Sequence, residues 1–473
     1  MKVLLISPNV ESLPDPVFPL GLAYIAGALR EKQIPYHVLD LCFEEDFEAA
    51  ICQGISLFEP DIIGLSLRNV DNVSYPNYIS YLPFYRQVVR VVRKYSRGVI
   101  VVGGSGFDLL HDKIIKYLGA DIGIIGEGET AFARLIDRLE KEGSFYDALD
   151  DRVLDAREEI IKDLDFIPVP DRSGFDNTAY LSRGGMGNIQ TKRGCPFGCI
   201  YCTYPIIQGK TVRLRTPAHV CDEIESLLEA GIDNIFIVDN EFNFPIDHAQ
   251  ELCSKIIERR LSFKWSCYCH PGFVTERLVE LMLSAGCTGM EFGSDAANDN
   301  MIINLGKNFT VSDLHKVSKI CLDSGMSFCH SLLIGGPGET LETVRETFDA
   351  IISMSPTAVI CMTGIRIFPD TRLCRIAIDQ GVISPDQDLL DQAFYISPAI
   401  KDEMLPFIEQ FSKDQPTWIF PGLNININID LQKKLRRFGI KGPLWEYMRI
   451  GARYRNITEQ PSSIRRGVLK PVD

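Results

Sequence analysis

Three cysteines stand together in Lys192-Arg193-Gly194-Cys195-Pro196-Phe197-Gly198-Cys199-Ile200-Tyr201-Cys202. The spacing is C-x3-C-x2-C, with the aromatic Tyr201 before the last thiol. Three thiolates on one short loop can hold three irons of a cubane iron–sulfur cluster. The fourth iron then lacks a cysteine on this loop and is open to another ligand. Gly194, Pro196 and Gly198 suit a tight loop around such a group. The alternatives are three structural cysteines or zinc. Zinc wants four ligands, usually from two paired knuckles, and no second C-x2-C follows.

A scaffold must carry that loop. At ~150 residues per domain, 473 residues predict two or three domains. The chain is 45% apolar and 24% charged, as in ordinary globular proteins. Sixty-three acidic against 49 basic residues give a net charge of −14, which disfavours nucleic acid or an anionic membrane as partner. No apolar run approaches ~18 residues, so no membrane span is expected. The start, Met1-Lys2-Val3-Leu4-Leu5-Ile6-Ser7-Pro8, reads as a buried strand and not as a signal peptide, which predicts a cytoplasmic protein. There, fourteen cysteines are expected as buried thiols or metal ligands, not as a disulfide framework.

Residues 3–6, 36–39, 62–67, 99–102 and 122–125 read as apolar strands separated by helical patterns. That alternation predicts a parallel sheet covered on both faces, a Rossmann-like α/β domain over residues 1–143. Such domains bind ligands at the carboxyl ends of their strands. The turns Gly103-Gly104-Ser105-Gly106 and Gly126-Glu127-Gly128-Glu129 fall there, and neither matches G-x-G-x-x-G. Residues 144–185 are charged and Pro-containing and read as a linker. A second series of strands, at 187–190, 234–238, 264–268, 289–292, 328–334 and 359–367, predicts a partial (β/α)6 barrel over residues 186–398. Its functional face is at the strand carboxyl ends. Residues 399–473 predict a small helical cap, with 453–473 frayed.

With its cysteine loop after the first barrel strand, the chain resembles the radical S-adenosylmethionine superfamily. The resemblance implies a 4Fe-4S cluster on Cys195, Cys199 and Cys202, its open iron chelated by the amino and carboxylate groups of S-adenosylmethionine. Tyr201 is the aromatic residue of that motif. Other segments match in order. Val238-Asp239-Asn240-Glu241 stands where the family binds the methionine amino group, which implies roles for Asp239, Asn240 and Glu241, although the usual pair of glycines is absent. Glu291-Phe292-Gly293-Ser294-Asp295 is similar to the ribose-contacting segment and implies Glu291 and Ser294. Leu333-Ile334-Gly335-Gly336-Pro337-Gly338-Glu339-Thr340 resembles the segment beside the adenine, with Gly335 and Gly336 admitting the ligand to the backbone.

A Rossmann-like domain ahead of such a barrel resembles the cobalamin-dependent branch. The supporting segments contain Ser66, Arg68, Asn69, Gly103, Gly104, Gly126, Glu127 and Gly128, whose loops would surround the corrin and its nucleotide tail. The branch often carries D-x-H-x-x-G, whose His binds cobalt from below; this chain lacks it, and its N-terminal domain has only His37 and His111. Arg68 is expected under the corrin, where a fixed cation would disfavour a lower ligand and favour low-valent cobalt.

In Trp265-Ser266-Cys267-Tyr268-Cys269-His270, strand alternation puts Cys267 and Cys269 on one face and Tyr268 and His270 on the other. Tyr268 and His270 are expected in a substrate cavity, as proton acceptor or stacking platform. Arg366 is expected to hold a carboxylate, or else to form an interdomain ion pair. The resemblance implies a methyltransferase acting on an unactivated or weakly nucleophilic carbon of a small molecule. It also implies an external electron donor of flavodoxin or ferredoxin type. The rival on the same scaffold is a radical rearrangement, oxidation or cyclisation without methyl transfer.

Overall fold

The computed structural model describes residues 1–142, 152–157 and 160–448. The expected frayed end, 453–473, lies outside these, as does the expected start of the linker at 144–151.

The first sheet contains β1 (Val3–Ser7), β2 (Tyr36–Asp40), β3 (Ile62–Ser66), β4 (Val99–Gly103), β5 (Ile122–Ile125) and β6 (Val153–Asp155). All its pairings are parallel, in the order β2-β1-β3-β4-β5-β6. β1 and β5 are buried along their whole length. Helices on both faces leave no solvent side, which is why these strands read as unbroken Val, Leu and Ile. The strand order reverses between β1 and β3, and a crevice opens there at the carboxyl ends. β6 corrects the expectation of a plain linker. Its three residues are too few to show a period, yet they extend the sheet. The rest of the segment packs down as well. Tyr180 donates to Asp40 at 2.6 Å, and a Cβ on Gly27 would stand 2.3 Å from the Val169 carbonyl oxygen.

The second sheet is a seven-stranded open barrel. Its parallel strands are β7 (Gly187–Ile189), β10 (Asn234–Ile237), β11 (Lys264–Cys269), β12 (Cys287–Asp295), β13 (Ser327–Ile334), β14 (Ala358–Thr363) and β17 (Trp418–Ile419). Their order is β17-β14-β13-β12-β11-β10-β7. The hairpin of β8 (Lys192–Arg193) and β9 (Arg213–Leu214) stands at its mouth. The expected sixth strand, 359–367, breaks at Gly364, whose φ of +65° turns the chain out of the sheet. Its last residues form β15 (Ile365–Arg366) and pair antiparallel with β16 (Phe394–Tyr395). The segment after 398 is mostly helical, with helices Met404–Ser412 and Ile429–Arg437. It also supplies β17, which pairs with β14, so the barrel sheet does not end where the sequence places its boundary.

One apolar cluster runs without a break from Leu4, Ile6 and Phe107 of the first domain to Ile200, Met301 and Leu332 of the second. Polar clasps flank it. Arg366 is buried and meets Asp71 at 2.9 Å. Asn77 donates to the Gly422 carbonyl at 2.9 Å, and Arg436 pairs with Asp15. No helix among the described residues is long and apolar enough to cross a membrane.

Candidate active site

The cysteine loop leaves β8 and is held on both sides. Gly194 has φ +93°, and a Cβ there would stand 2.1 Å from the Thr211 carbonyl oxygen, so only glycine fits. The Cys195 amide donates to Gly209 at 3.1 Å and the Ile200 amide to Leu305 at 3.0 Å. Burial pushes the Cys195 thiol up to about 11 and the Cys202 thiol to about 12, and raises Cys199 too. Cys202 is within electrostatic reach of both other thiols. Thiols so placed ionise when a metal takes the proton's place. Among the described residues no three His, Cys, Asp or Glu side chains close on a single ion. Three thiols on one loop suit a cluster with several irons.

Acidic groups surround the loop. Asp239, expected at an ammonium, is buried and already accepts from the Thr191 amide at 2.7 Å, the Thr191 hydroxyl and the Lys192 amide at 3.2 Å. Asn240 donates to Gln208 at 2.9 Å. Glu241 differs: its Oε2 is buried with no hydrogen-bond partner. Burial pushes this carboxyl up to about 8, and it faces the Cys195 and Cys199 thiols. An orphaned carboxyl oxygen beside two of the loop thiols is suited to a bound cation or ammonium. The Tyr201 hydroxyl donates to Asp295. Lys307 meets Asp295 at 2.5 Å, the Gly293 carbonyl at 3.0 Å and the Tyr201 hydroxyl at 3.1 Å. The sequence did not single out Lys307, and Asp295 stands at the end of the segment Glu291–Asp295 without a role assigned to it.

The remaining expected cofactor residues divide. Ser294 is fully buried with its hydroxyl on His330 Nδ1 at 2.7 Å, so its side chain serves the core. Gly335 and Gly336 both donate their amides to the buried Glu339 carboxylate, which braces their turn. Glu291 accepts from Ser331 at 2.7 Å. No cation pairs with it among the described residues, and burial raises its pKa.

Tyr268 stays 40% exposed at the end of β11. Glu291 chiefly, then burial, raises its hydroxyl well above the usual range, and Tyr204 and Arg68 lie within electrostatic reach. Tyr204 is 48% exposed and feels Cys202 and Cys195 on one side and Arg68 on the other. Arg68 of the first domain thus lies within electrostatic reach of Tyr204 and Tyr268 of the barrel, and Glu291 within reach of Tyr268. Tyr204 was not foreseen. His270 does not join them. It is buried, bonds Asn308 at 2.6 Å and packs at a tilt against Phe197 of the cysteine loop, ring centroids 4.6 Å apart. Cys267 and Cys269 point away into the core, as alternation predicts. Arg366 is the interdomain pair and not a carboxylate holder. Asp71 and the carbonyls of Ile367 and Leu389 occupy its donors.

The first domain holds a cavity of 260 Å³ at its crevice. Leu5, Gly64, Val101, Ile124 and Phe132 make an apolar interior; Ser66, Gly103, Gly104, Gly126, Glu127 and Gly128 line it too. A Cβ on Gly64 would come within 3.2 Å of Leu5 and 3.3 Å of Phe132, partly filling the space. This apolar, glycine-edged cavity leaves room for a ligand at the strand ends. Asn69 is exposed beside Arg68. Glu127 is held by Arg193 and Arg213.

Comparisons with known proteins agree with this layout. A model of the B12 binding domain matches residues 6–136, and one of the radical SAM superfamily matches residues 189–351. Tryptophan 2-C-methyltransferase of Streptomyces laurentii is 27% identical over 80% of this chain and 74% of its own length. An uncharacterized methyltransferase of Pyrococcus horikoshii is 27% identical over 81% of this chain and 84% of its own. Among solved structures, the radical S-adenosylmethionine methyltransferase TsrM of Kitasatospora setae, with cobalamin and a [4Fe-4S] cluster bound, shares the fold. It superposes with a TM-score of 0.85 over 96% of this chain and 98% of its own, at 24% identity.

Proposed function

We infer, from a chain that belongs to the cobalamin-dependent radical S-adenosylmethionine enzymes, that it methylates a carbon of a small molecule held between its two domains. The cofactors are a 4Fe-4S cluster, S-adenosylmethionine and cobalamin; they supply one-electron cleavage of S-adenosylmethionine and a methyl group carried on cobalt.

The observation that carries the reading is the meeting of the two domains. Arg68 at the end of β3 and Tyr204 beside the cysteine loop reach each other electrostatically. Tyr268 and Glu291 stand at the barrel strand ends near this pair, and we place the substrate there. In this reading Cys195, Cys199 and Cys202 hold the cluster. Glu241 faces its open side, where an ammonium satisfies the orphaned oxygen. Asp239 orients the loop through Thr191 and Lys192. Arg68 presents a fixed cation to the corrin. Tyr268, its hydroxyl kept protonated by Glu291, donates a hydrogen bond to substrate while its ring packs on a flat face. The likeness to a tryptophan methyltransferase and the two tyrosines support an aromatic heterocycle of indole type as substrate. Methylating relatives also favour methyl transfer over a rearrangement. We assign electron delivery to a separate flavodoxin or ferredoxin. All fourteen cysteines are free, which supports a reducing compartment, and we place the chain in the cytoplasm.

The test is anaerobic turnover of enzyme carrying iron and cobalt, with trideuteromethyl S-adenosylmethionine and a panel of indoles. A trideuteromethyl product with matching S-adenosylhomocysteine is expected. Deoxyadenosine formed without S-adenosylhomocysteine refutes methyl transfer and points to the rearrangement.

A further inference from the structure

We infer that Arg193 and Gln208 are positioning residues that couple occupancy of the first-domain cavity to the cysteine loop, so that cobalamin and the cluster strengthen each other's binding. The inference rests on reading that cavity as the site of the cobalamin tail.

The cavity belongs to the first domain, yet Gln190, Arg193 and Gln208 of the second close its wall. Each lies within a bond or two of the cysteine loop. Arg193 precedes Gly194 and Cys195 in the chain. Its Nη1 meets Glu127 at 3.2 Å and its Nη2 meets Glu129 at 2.5 Å, and both acids line the cavity. Its Nε donates to Gln190 at 2.9 Å. Gln208 accepts from the Gly194 amide at 3.2 Å, inside the loop itself. Arg213, opposite Arg193 in the hairpin, closes the knot. It meets Glu127 at 2.7 Å and donates to the Gln208 carbonyl at 3.0 Å.

These four charged side chains are all about nine-tenths buried or more. A buried knot of this kind tolerates little displacement, because moving one member strands another charge without water. The loop is tied to this knot at Gly194, whose amide donates to Gln208. A ligand that fills the cavity fixes Glu127 and Glu129. They fix Arg193, and the strand then delivers Cys195 in place. The reverse path is equally short. Coupling between binding equilibria is reciprocal, so the cluster tightens cobalamin by the factor by which cobalamin tightens the cluster.

The experiment titrates cobalamin, followed by its visible absorbance, into cluster-loaded and chelator-stripped full-length protein. The cluster is expected to lower the cobalamin Kd on the order of tenfold, within the usual span of coupling energies. In Arg193→Gln that ratio is expected to fall towards one, with a smaller fall in Gln208→Ala. A merely structural role would weaken both states alike and leave the ratio unchanged. If Arg193→Gln does not load its cluster, Gln208→Ala decides alone. A wild-type ratio of one, or an unchanged ratio in the deciding variant, overturns the coupling. Gly64→Leu separates the premise: lost cobalamin binding supports the cavity as tail site, and wild-type affinity overturns that assignment and the inference with it.

Discussion

Arg68 carries its charge at the end of β3, exposed to the space between the domains, where it reaches both Tyr204 and Tyr268. Replacing it with alanine removes the one charge we place beneath the corrin. Arg68→Ala is expected to change the visible spectrum of bound cobalamin and to slow turnover on the order of tenfold, for a fixed charge worth ~1.4 kcal/mol. The iron count should stay at the wild-type value. Wild-type cobalt spectra together with wild-type turnover would remove Arg68 from the site. Individual residues were legible in the sequence only where their neighbours in the chain explain them. The three cysteines and Tyr201 lie within eight residues of one another. Lys307 and Asp295 come from a different strand and the loop beyond it. Asp295 takes a φ of +59° that nothing in its local sequence requires. The ion pair of Lys307 with Asp295 exists only once the barrel closes.

At the scale of elements, the buried pair of Arg366 and Asp71 joins β15 to the loop after β3. The guanidinium has no route to water, so Asp71→Leu leaves a buried charge unpaired. That variant is expected to lose about 3–5 kcal/mol in denaturant unfolding, and the double variant Asp71→Leu with Arg366→Met to recover most of it. Equal losses in the single and double variants would show that the pair itself does not matter. Buried strands such as β1 and β5 were legible because a parallel sheet demands apolar runs. β6 and β17 were not, since two or three residues carry no period. The end of the sixth strand was misread for another reason. Residues 365–367 are as apolar as a strand, and the single positive φ of Gly364 redirects them. Arg366 could not be assigned in advance, because its partner lies 295 residues away.

Across the whole molecule, burial pushes Asp108, Glu339 and Glu446 each up to about 7. An unfolded carboxyl releases its proton near pH ~4. Between these limits the native protein holds protons that the unfolded chain has lost. Their contribution to stability is therefore complete below pH ~4 and declines as pH rises through about 7. Tm is expected to be lower at pH ~8 than at pH ~6, with a smaller difference in Glu339→Gln. A Tm that rises over that interval would contradict the assignment. The seam between the domains has one more consequence. Gly422 sits so close to Tyr75 that a Cβ would stand 1.8 Å from its carbonyl oxygen, and Arg436 grips Asp15. Both fasteners are synthesised after the barrel, long after the crevice they secure. On the ribosome the first domain emerges and folds before either exists.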